Sequence, residues 1–424
     1  MAGVVSRWKV ALAVVGVVAV TAGANAGVAS WILQSRDKPT PVKDGPVSLP
    51  EELGWLPSSL PPEHKAPAGR AIALVWQYID IEKYRFVTVG ATTNTARVVP
   101  EITERFRKPR TIPGSEPVTS PSARLSPDGT ALAIGSDGTR TDGLVLLDLH
   151  TGERRSHSIG PGVIDIYAWS PDSTSVAYGN NDGLNILDTR SGRSEPVEFD
   201  SDGYYAAAFS PDGKHLAVDV DDAVFIVELN NNTDVPPRRI PKQTDEFLPT
   251  DVGWSADGSQ ILLRRYTLPD GSPAGETHDG PVRARISFVD ISGTSPKRLP
   301  ATIDVEETYG VDVAGWRSPN ELVLVDSSTD VTTVIVRTRG STFAEVMLTG
   351  DASINEIQLP RALLRGLATR GGGNQDTYRA PSTTALTAQL LIGAAACYVL
   401  AVLLCLIAVF AVNARRAGAG RRSR

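Results

Sequence analysis

Cysteine is almost absent from this chain. Of its 424 residues only Cys397 and Cys405 are cysteines, and both lie in an apolar stretch near the C-terminus. The long middle therefore holds no disulfide, and its fold must rest on a buried core rather than on covalent staples. Histidine is nearly as scarce. His64, His150, His157, His215 and His278 include no pair at a metal-ligand spacing such as H-x-x-x-H, so each reads as a surface or turn residue. There is no G-x-S-x-G nucleophile elbow. The nearest run, Gly253-Trp254-Ser255-Ala256-Asp257-Gly258, reads as a turn with a structural serine. Gly371-Gly372-Gly373 lacks the strand and helix that flank a phosphate loop, and reads as a hinge. No catalytic residue, metal or cofactor is expected.

Charge is missing from two long stretches, Val10 to Gln34 and Ala380 to Ala414. In the first, the apolar run from Ala11 to Leu33 would reach about 34 Å as a helix, enough to cross a hydrocarbon core of ~30 Å. The second centres on Leu390 to Val412 and is richer in Leu, Ile and Val. It reads as a transmembrane helix. The first reads as an uncleaved anchor or as a signal peptide, because Ala24-Asn25-Ala26 has the small-x-small form of a cleavage site. Basic residues flank the two segments at the chain ends: Arg7 and Lys9, then Arg415, Arg416, Arg421, Arg422 and Arg424. They place both termini in the cytoplasm and the middle outside the cell membrane. The net charge of −6 includes these seven positive side chains, so the middle is more acidic than the whole. That argues against a nucleic-acid partner.

What the middle does have is a repeat. Leu125-Ser126-Pro127-Asp128-Gly129, Trp169-Ser170-Pro171-Asp172-Ser173, Phe209-Ser210-Pro211-Asp212-Gly213, Trp254-Ser255-Ala256-Asp257-Gly258 and Trp316-Arg317-Ser318-Pro319-Asn320 are each followed by an apolar alternating run. The serines at 126, 170, 210, 255 and 318 are spaced by 44, 40, 45 and 63 residues. A degenerate copy, Ala66-Pro67-Ala68-Gly69, stands 60 residues upstream of Ser126. In each unit Pro presets φ, Asp bonds its own backbone, and Gly tolerates positive φ, so the motif is a tight turn between strands. Four short strands in about 40 to 45 residues make a propeller blade. The expected fold is all-β: a β-propeller of about six blades, flanked by one transmembrane helix at each end. The longer spacings imply insertions, one of them the loop Leu268 to Gly280. The run Ala352 to Leu359 is a spare strand that could complete the first blade and close the ring.

The expected organisation is a basic tail (1–9), an anchor or signal peptide (10–34), a linker (35–65), the propeller (66–360), a second linker (361–384), a transmembrane helix (385–412) and a basic tail (413–424). The units at 66–360 resemble the WD40-like propeller repeat of the periplasmic TolB family, whose hallmark is an aromatic residue followed by Ser-Pro-Asp-Gly. The resemblance implies an antiparallel propeller that binds proteins or small ligands. Here, membrane segments stand in place of the extra N-terminal domain described for TolB. The Ala-, Gly- and Arg-rich tails fit a high-GC genome such as that of an actinobacterium.

The aromatic residues Trp169, Phe209, Trp254 and Trp316 recur in register and read as core positions between blades. Four residues before them stand Asp165, Tyr205, Thr250 and Asp312, with Asp251 beside Thr250. Innermost strands line a propeller's channel, so these five residues are expected near one mouth. They form a candidate ligand- or peptide-binding ring, the alternative being a solvated pore lining. The acidic groups Asp219, Asp221, Asp222 and Asp200, Asp202 do not match a calcium loop and read as exposed loops. The expected function is a non-enzymatic, membrane-held binding or scaffold module. Its partner would be another protein or a small extracellular ligand, with membrane lipid contacted through the two spans. The alternatives are a signalling component acting with a membrane partner, and a propeller lyase or hydrolase using Asp165, Asp251 and Asp312 with a metal.

Overall fold

A computed structural model describes residues 47–367, except positions 55, 161, 244, 294 and 352 and the stretches 57–59, 81–82, 106–121, 139–142, 199–205, 230–235, 275–279, 328–330 and 342–343. The apolar segments at 10–34 and 385–412, the hinge glycines 371–373 and Tyr205 lie outside the described residues. Among those described, no helix is long and apolar enough to cross a membrane.

Six antiparallel sheets follow one another, one per repeat. Blade 2 comprises Ala123–Leu125, Ala131–Ile134, Leu144–Asp148 and Arg154–His157. Blade 3 comprises Val163–Trp169, Ser175–Asn180, Gly183–Asp188 and Ser194–Pro196, and blade 4 Ala206–Phe209, His215–Val220, Ala223–Glu228 and Arg238–Pro241. Blade 6 comprises Gly310–Ser318, Glu321–Ser327, Thr332–Thr338 and Ala344–Gly350. Blade 1 is built from both ends of the ring. Its three outer strands are Ala71–Asp80, Lys83–Gly90 and Ala96–Val98, and its innermost strand is Ile354–Gln358. Val75 lies opposite Ile357 and Leu74 opposite Gln358. The spare strand expected from the sequence therefore closes the ring.

Blade 5 departs from the pattern. Its main strands are Gln260–Thr267 and Val282–Asp290, with Lys297–Arg298 and Ile303–Thr308 both pairing to the second. The expected insertion at Leu268 to Gly280 is the connection between those main strands. The inner strand of blade 5 is broken. Glu246–Phe247 pairs with Arg265 and Arg264, and contact resumes only at Trp254 opposite Ile261.

The N-terminal stretch expected as linker is partly built into the propeller. Glu52–Leu53 pairs in parallel with the outer strand of blade 6. Leu53 and Leu56 are fully buried, and Arg85 donates to the carbonyl of Leu56. This covers a sheet edge that would otherwise be open to pairing.

The core is divided among the blade interfaces. Trp76 and Phe86 of blade 1 meet Leu125 and Leu147 of blade 2. Ile240 of blade 4 meets Trp254 and Ile261 of blade 5, and Phe288 of blade 5 meets Trp316 and Leu324 of blade 6. The recurrent aromatics are core residues, as expected, and the tryptophans are also hydrogen-bonded across the interfaces. Trp169 Nε1 donates to Arg124 O at 3.0 Å, Trp254 Nε1 to Ala208 O at 2.9 Å and Trp316 Nε1 to Trp254 O at 2.8 Å. Phe209 has no such donor.

The repeated turns are built alike. Each serine hydroxyl donates to the aspartate two residues on, at 2.7 Å in Ser126–Asp128 and 2.6 Å in Ser170–Asp172, Ser210–Asp212 and Ser255–Asp257. The same hydroxyl accepts the backbone N–H five residues on, which opens the next strand. At Asp212 and Asp257 the serine bond chiefly holds the carboxyl below its ordinary range. At Asp128 and Asp172 burial pushes upward, and the serine and threonine bonds overcome it. Gly129 must be glycine twice over: its φ is +73°, and a Cβ would lie 2.2 Å from the carbonyl oxygen of Ala71.

Ser173 occupies the glycine place of blade 3 at φ 60°, where a side chain costs ~1–2 kcal/mol. Its hydroxyl accepts Asp128 N only at 3.4 Å. Ser173→Gly is therefore expected to raise stability by ~0.5 kcal/mol in chemical denaturation. A loss of that size would mean that the bond to Asp128 outweighs the strain.

Candidate functional site

Two of the proposed ring residues sit on inner strands as expected. Asp165 lies near the start of Val163–Trp169 opposite Gly179, and Asp312 near the start of Gly310–Ser318 opposite Val325. Asp312 Oδ1 accepts a hydrogen bond from Arg264 Nη1 of blade 5 at 2.6 Å. Arg264 also donates to Val311 O at 2.5 Å and lies over the ring of Tyr266. The Tyr266 hydroxyl donates to Val311 O and accepts Val311 N. Arginine, tyrosine and aspartate thus join blades 5 and 6 at the inner strand.

Glu356, on the closing strand, continues this polar line into blades 1 and 2. Its carboxylate accepts from Gln358 Nε2 at 3.0 Å and lies 3.8 Å from Arg124. Burial pushes the Glu356 carboxyl up. Arg124 opposes the shift and the charge of Asp312 adds to it. Gln358 also reaches blade 2, donating to Ala123 O at 3.1 Å.

Between blades 4 and 5 the charges are sealed. Asp219 was expected on an exposed acidic loop, but it is fully buried on the strand His215–Val220. Its Oδ1 lies 3.2 Å from Lys242 Nζ, and its Oδ2 accepts Leu248 N at 2.7 Å. Burial raises its carboxyl despite the lysine. Asp221 and Asp222 lie in the exposed turn that follows; Asp200 and Asp202 lie outside the described residues.

Asp251 and Thr250 depart from the expected mouth. Counting four residues back from the aromatic works where the inner strand is continuous, as in blades 3 and 6. In blade 5 the chain leaves the sheet between Phe247 and Trp254. Asp251 there takes φ 67° and faces the end of the inner strands where the Ser-Pro-Asp-Gly turns lie. Its N–H donates to Ala207 O at 3.0 Å, and its Oδ1 accepts Trp169 N at 3.0 Å. It thereby spans from blade 5 to blades 4 and 3. Thr250 is half-buried beside it.

A strap crosses this end. After the closing strand the chain runs through Pro360 to Leu367. Arg361 Nη1 donates to Asp251 O at 2.5 Å and lies 3.3 Å from Asp251 Oδ1, and Nη2 donates to Trp169 O. Ala362 N donates to Pro127 O at 2.9 Å, and Leu364 is fully buried. A small cavity of about 200 Å³ beside the strap is lined by Pro171, Pro211, Trp254, Trp316 and Arg365, among others. Arg361→Ala would leave three partly buried acceptors without this donor, and is expected to cost ~2 kcal/mol in urea unfolding. A cost below ~0.5 kcal/mol would mean that the strap does not bind the blades together.

Asp165, Asp251 and Asp312 do not assemble into a metal cage. Among the described residues no group of three or more His, Cys, Asp or Glu could hold an ion. Arg361, Arg264 and Glu356 were not singled out from the sequence. The only signal for Glu356 is a charge inside the alternating run Ile354 to Leu359.

No protein-family model matches the chain, and no curated protein matches it in sequence. Solved structures do resemble it. TolB from Acinetobacter baumannii is 16% identical with a TM-score of 0.42, over 70% of this chain and 68% of that one. A protein described as TolB from Agrobacterium tumefaciens is 16% identical with a TM-score of 0.37, over 56% of this chain and 84% of that one. An oligogalacturonate lyase solved with manganese is 15% identical with a TM-score of 0.38, over 60% and 68%. By its six successive sheets, its closing strand and its repeated turns, the chain is a six-bladed β-propeller.

Proposed function

We propose that this propeller is a non-enzymatic binding module held at the cell membrane, with the propeller outside and both termini in the cytoplasm. It binds a protein or a small ligand through the channel mouth that carries Asp165 and Asp312. The carrying observation is the pairing of Asp312 with Arg264, and of Glu356 with Arg124, along inner strands whose other end is crossed by the Arg361 strap. Charged groups gathered at a concave, otherwise rigid surface are what orient a polar ligand. The apolar, charge-free segments at 10–34 and 385–412 support the membrane placement.

Two measurements test this. In intact protoplasts, external protease should digest the propeller and leave a short C-terminal fragment; protein that stays whole until lysis would place the propeller in the cytoplasm. A photo-crosslinking residue at position 165 or 312 should give a discrete adduct in cells, weakened by Arg264→Gln. No adduct above that of an outer-strand control would overturn the binding reading.

A further inference from the structure

Inner strands end at the Ser-Pro-Asp-Gly turns, and the first three strands of a blade run antiparallel to their neighbours. First and third strands of a blade therefore end at the turn face, and second strands end at the opposite face. The closing strand Ile354–Gln358 is an inner strand, so the chain leaves it at the turn face. The contacts of its strap agree: Ala362 binds Pro127 of a turn, and Arg361 binds Asp251 and the end of the blade 3 inner strand.

The N-terminal exit lies on the same face. Ser48 N donates to Ala91 O at 3.0 Å. Ala91 directly follows the third strand of blade 1, and Ala91 N donates to Arg70 O beside the Ala71–Gly129 contact with the blade 2 turn. The two ends of the propeller thus leave it by one face, although they are more than 300 residues apart in sequence. The apolar segments lie beyond these exits, at 10–34 and 385–412.

We propose that the Ser-Pro-Asp-Gly turn face is the surface turned toward the lipid bilayer, and that the opposite mouth, with Asp165 and Asp312, is displayed away from it. This rests on reading the two apolar segments as membrane spans. A blade whose inner strand is seven residues long stands ~23 Å tall. To invert the propeller, both connections would have to climb that wall and cross the rim, whereas in the proposed orientation neither does. The bilayer-side end of the channel is the one crossed by the strap, so a partner approaching from outside meets the charged mouth first.

The test uses the full chain reconstituted in phosphatidylcholine vesicles, with Cys397 and Cys405 replaced by alanine. One fluorophore is attached through Arg190→Cys, at the exposed turn that ends the third strand of blade 3. In a second sample it is attached through Asp182→Cys, at the exposed turn on the opposite face of the same blade. Nitroxide-labelled lipid headgroups should quench the label at 190 at least threefold more than the label at 182. Equal quenching, or stronger quenching at 182, overturns the orientation while the span reading stands. Vesicle flotation is read on the same samples. A chain that fails to float with the lipid overturns the span reading, and the orientation falls with it.

Discussion

Replacing Trp254 with phenylalanine will destabilise the propeller by ~2 kcal/mol, and replacing it with alanine by ~4 kcal/mol. Trp254 is 5% exposed and packs between blades 4 and 5. Its ring lies 6.4 Å from that of His215. Its indole N–H satisfies Ala208 O in the previous blade, and its own carbonyl accepts the indole of Trp316 in the next. Phenylalanine keeps much of the apolar contact but leaves Ala208 O buried without its donor, which isolates the hydrogen-bond contribution. Alanine also opens a cavity. Urea unfolding followed by far-ultraviolet circular dichroism reads both variants without relying on the tryptophan signal. A phenylalanine cost under ~0.5 kcal/mol would show that the cross-blade bond contributes little, and that the aromatic register is maintained by packing alone. The interface of blades 3 and 4 is the natural comparison, because Phe209 already occupies that place.

The fold was legible because its signal is local and repeated. Ser-Pro-Asp-Gly fixes one turn within five residues, and the four copies at Ser126, Ser170, Ser210 and Ser255 make the same serine–aspartate bond, so the period along the chain reports the blades directly. The closing strand was legible from the spare strand-like run Ala352 to Leu359. The site was less so. Its parts are set by contacts between blades, which no window of sequence contains. Asp219 stands two and three places from Asp221 and Asp222, and together they read as one acidic loop. The pleat sends Asp219 inward to Lys242 while the other two lie in the turn. Asp251 was displaced by the break in the blade 5 inner strand, where Glu246–Phe247 keeps the sheet and the next residues leave it. Arg361 follows the closing strand with no motif around it. Only the closed ring brings it to Asp251 and Trp169, residues 110 and 192 positions away.

The stretch at 47–65 yields the other large effect. Glu63 is fully buried there, with Oε1 accepting Ala68 N at 2.9 Å and Oε2 bonded to the Thr88 hydroxyl at 2.5 Å. Burial is the main cause that pushes its pKa up to about 7. The bonds from Thr88 and Ala68 and the charge of Arg97 oppose the shift, and Glu101 adds to it. A carboxyl whose folded pKa exceeds its unfolded value binds its proton more tightly when folded. Its stabilising contribution is full below pH ~4.5 and is lost as pH rises through about 7. A shift of this size corresponds to ~3 kcal/mol between those limits. The turn aspartates act in the opposite sense, since their lowered values withdraw stability only as pH falls below the ordinary carboxylate range. Stability should therefore peak on the acid side of neutrality. Glu63→Gln retains an oxygen for Ala68 N and gives an N–H to the Thr88 hydroxyl, but cannot ionise. It should match the parent near pH 4.5 and exceed it by up to ~3 kcal/mol at pH 8. Chemical denaturation across pH 4.5 to 8 decides the matter. Parallel curves for parent and variant would mean that Glu63 is not the group that titrates. A variant less stable at every pH would mean that the charged form is the one the fold is built around.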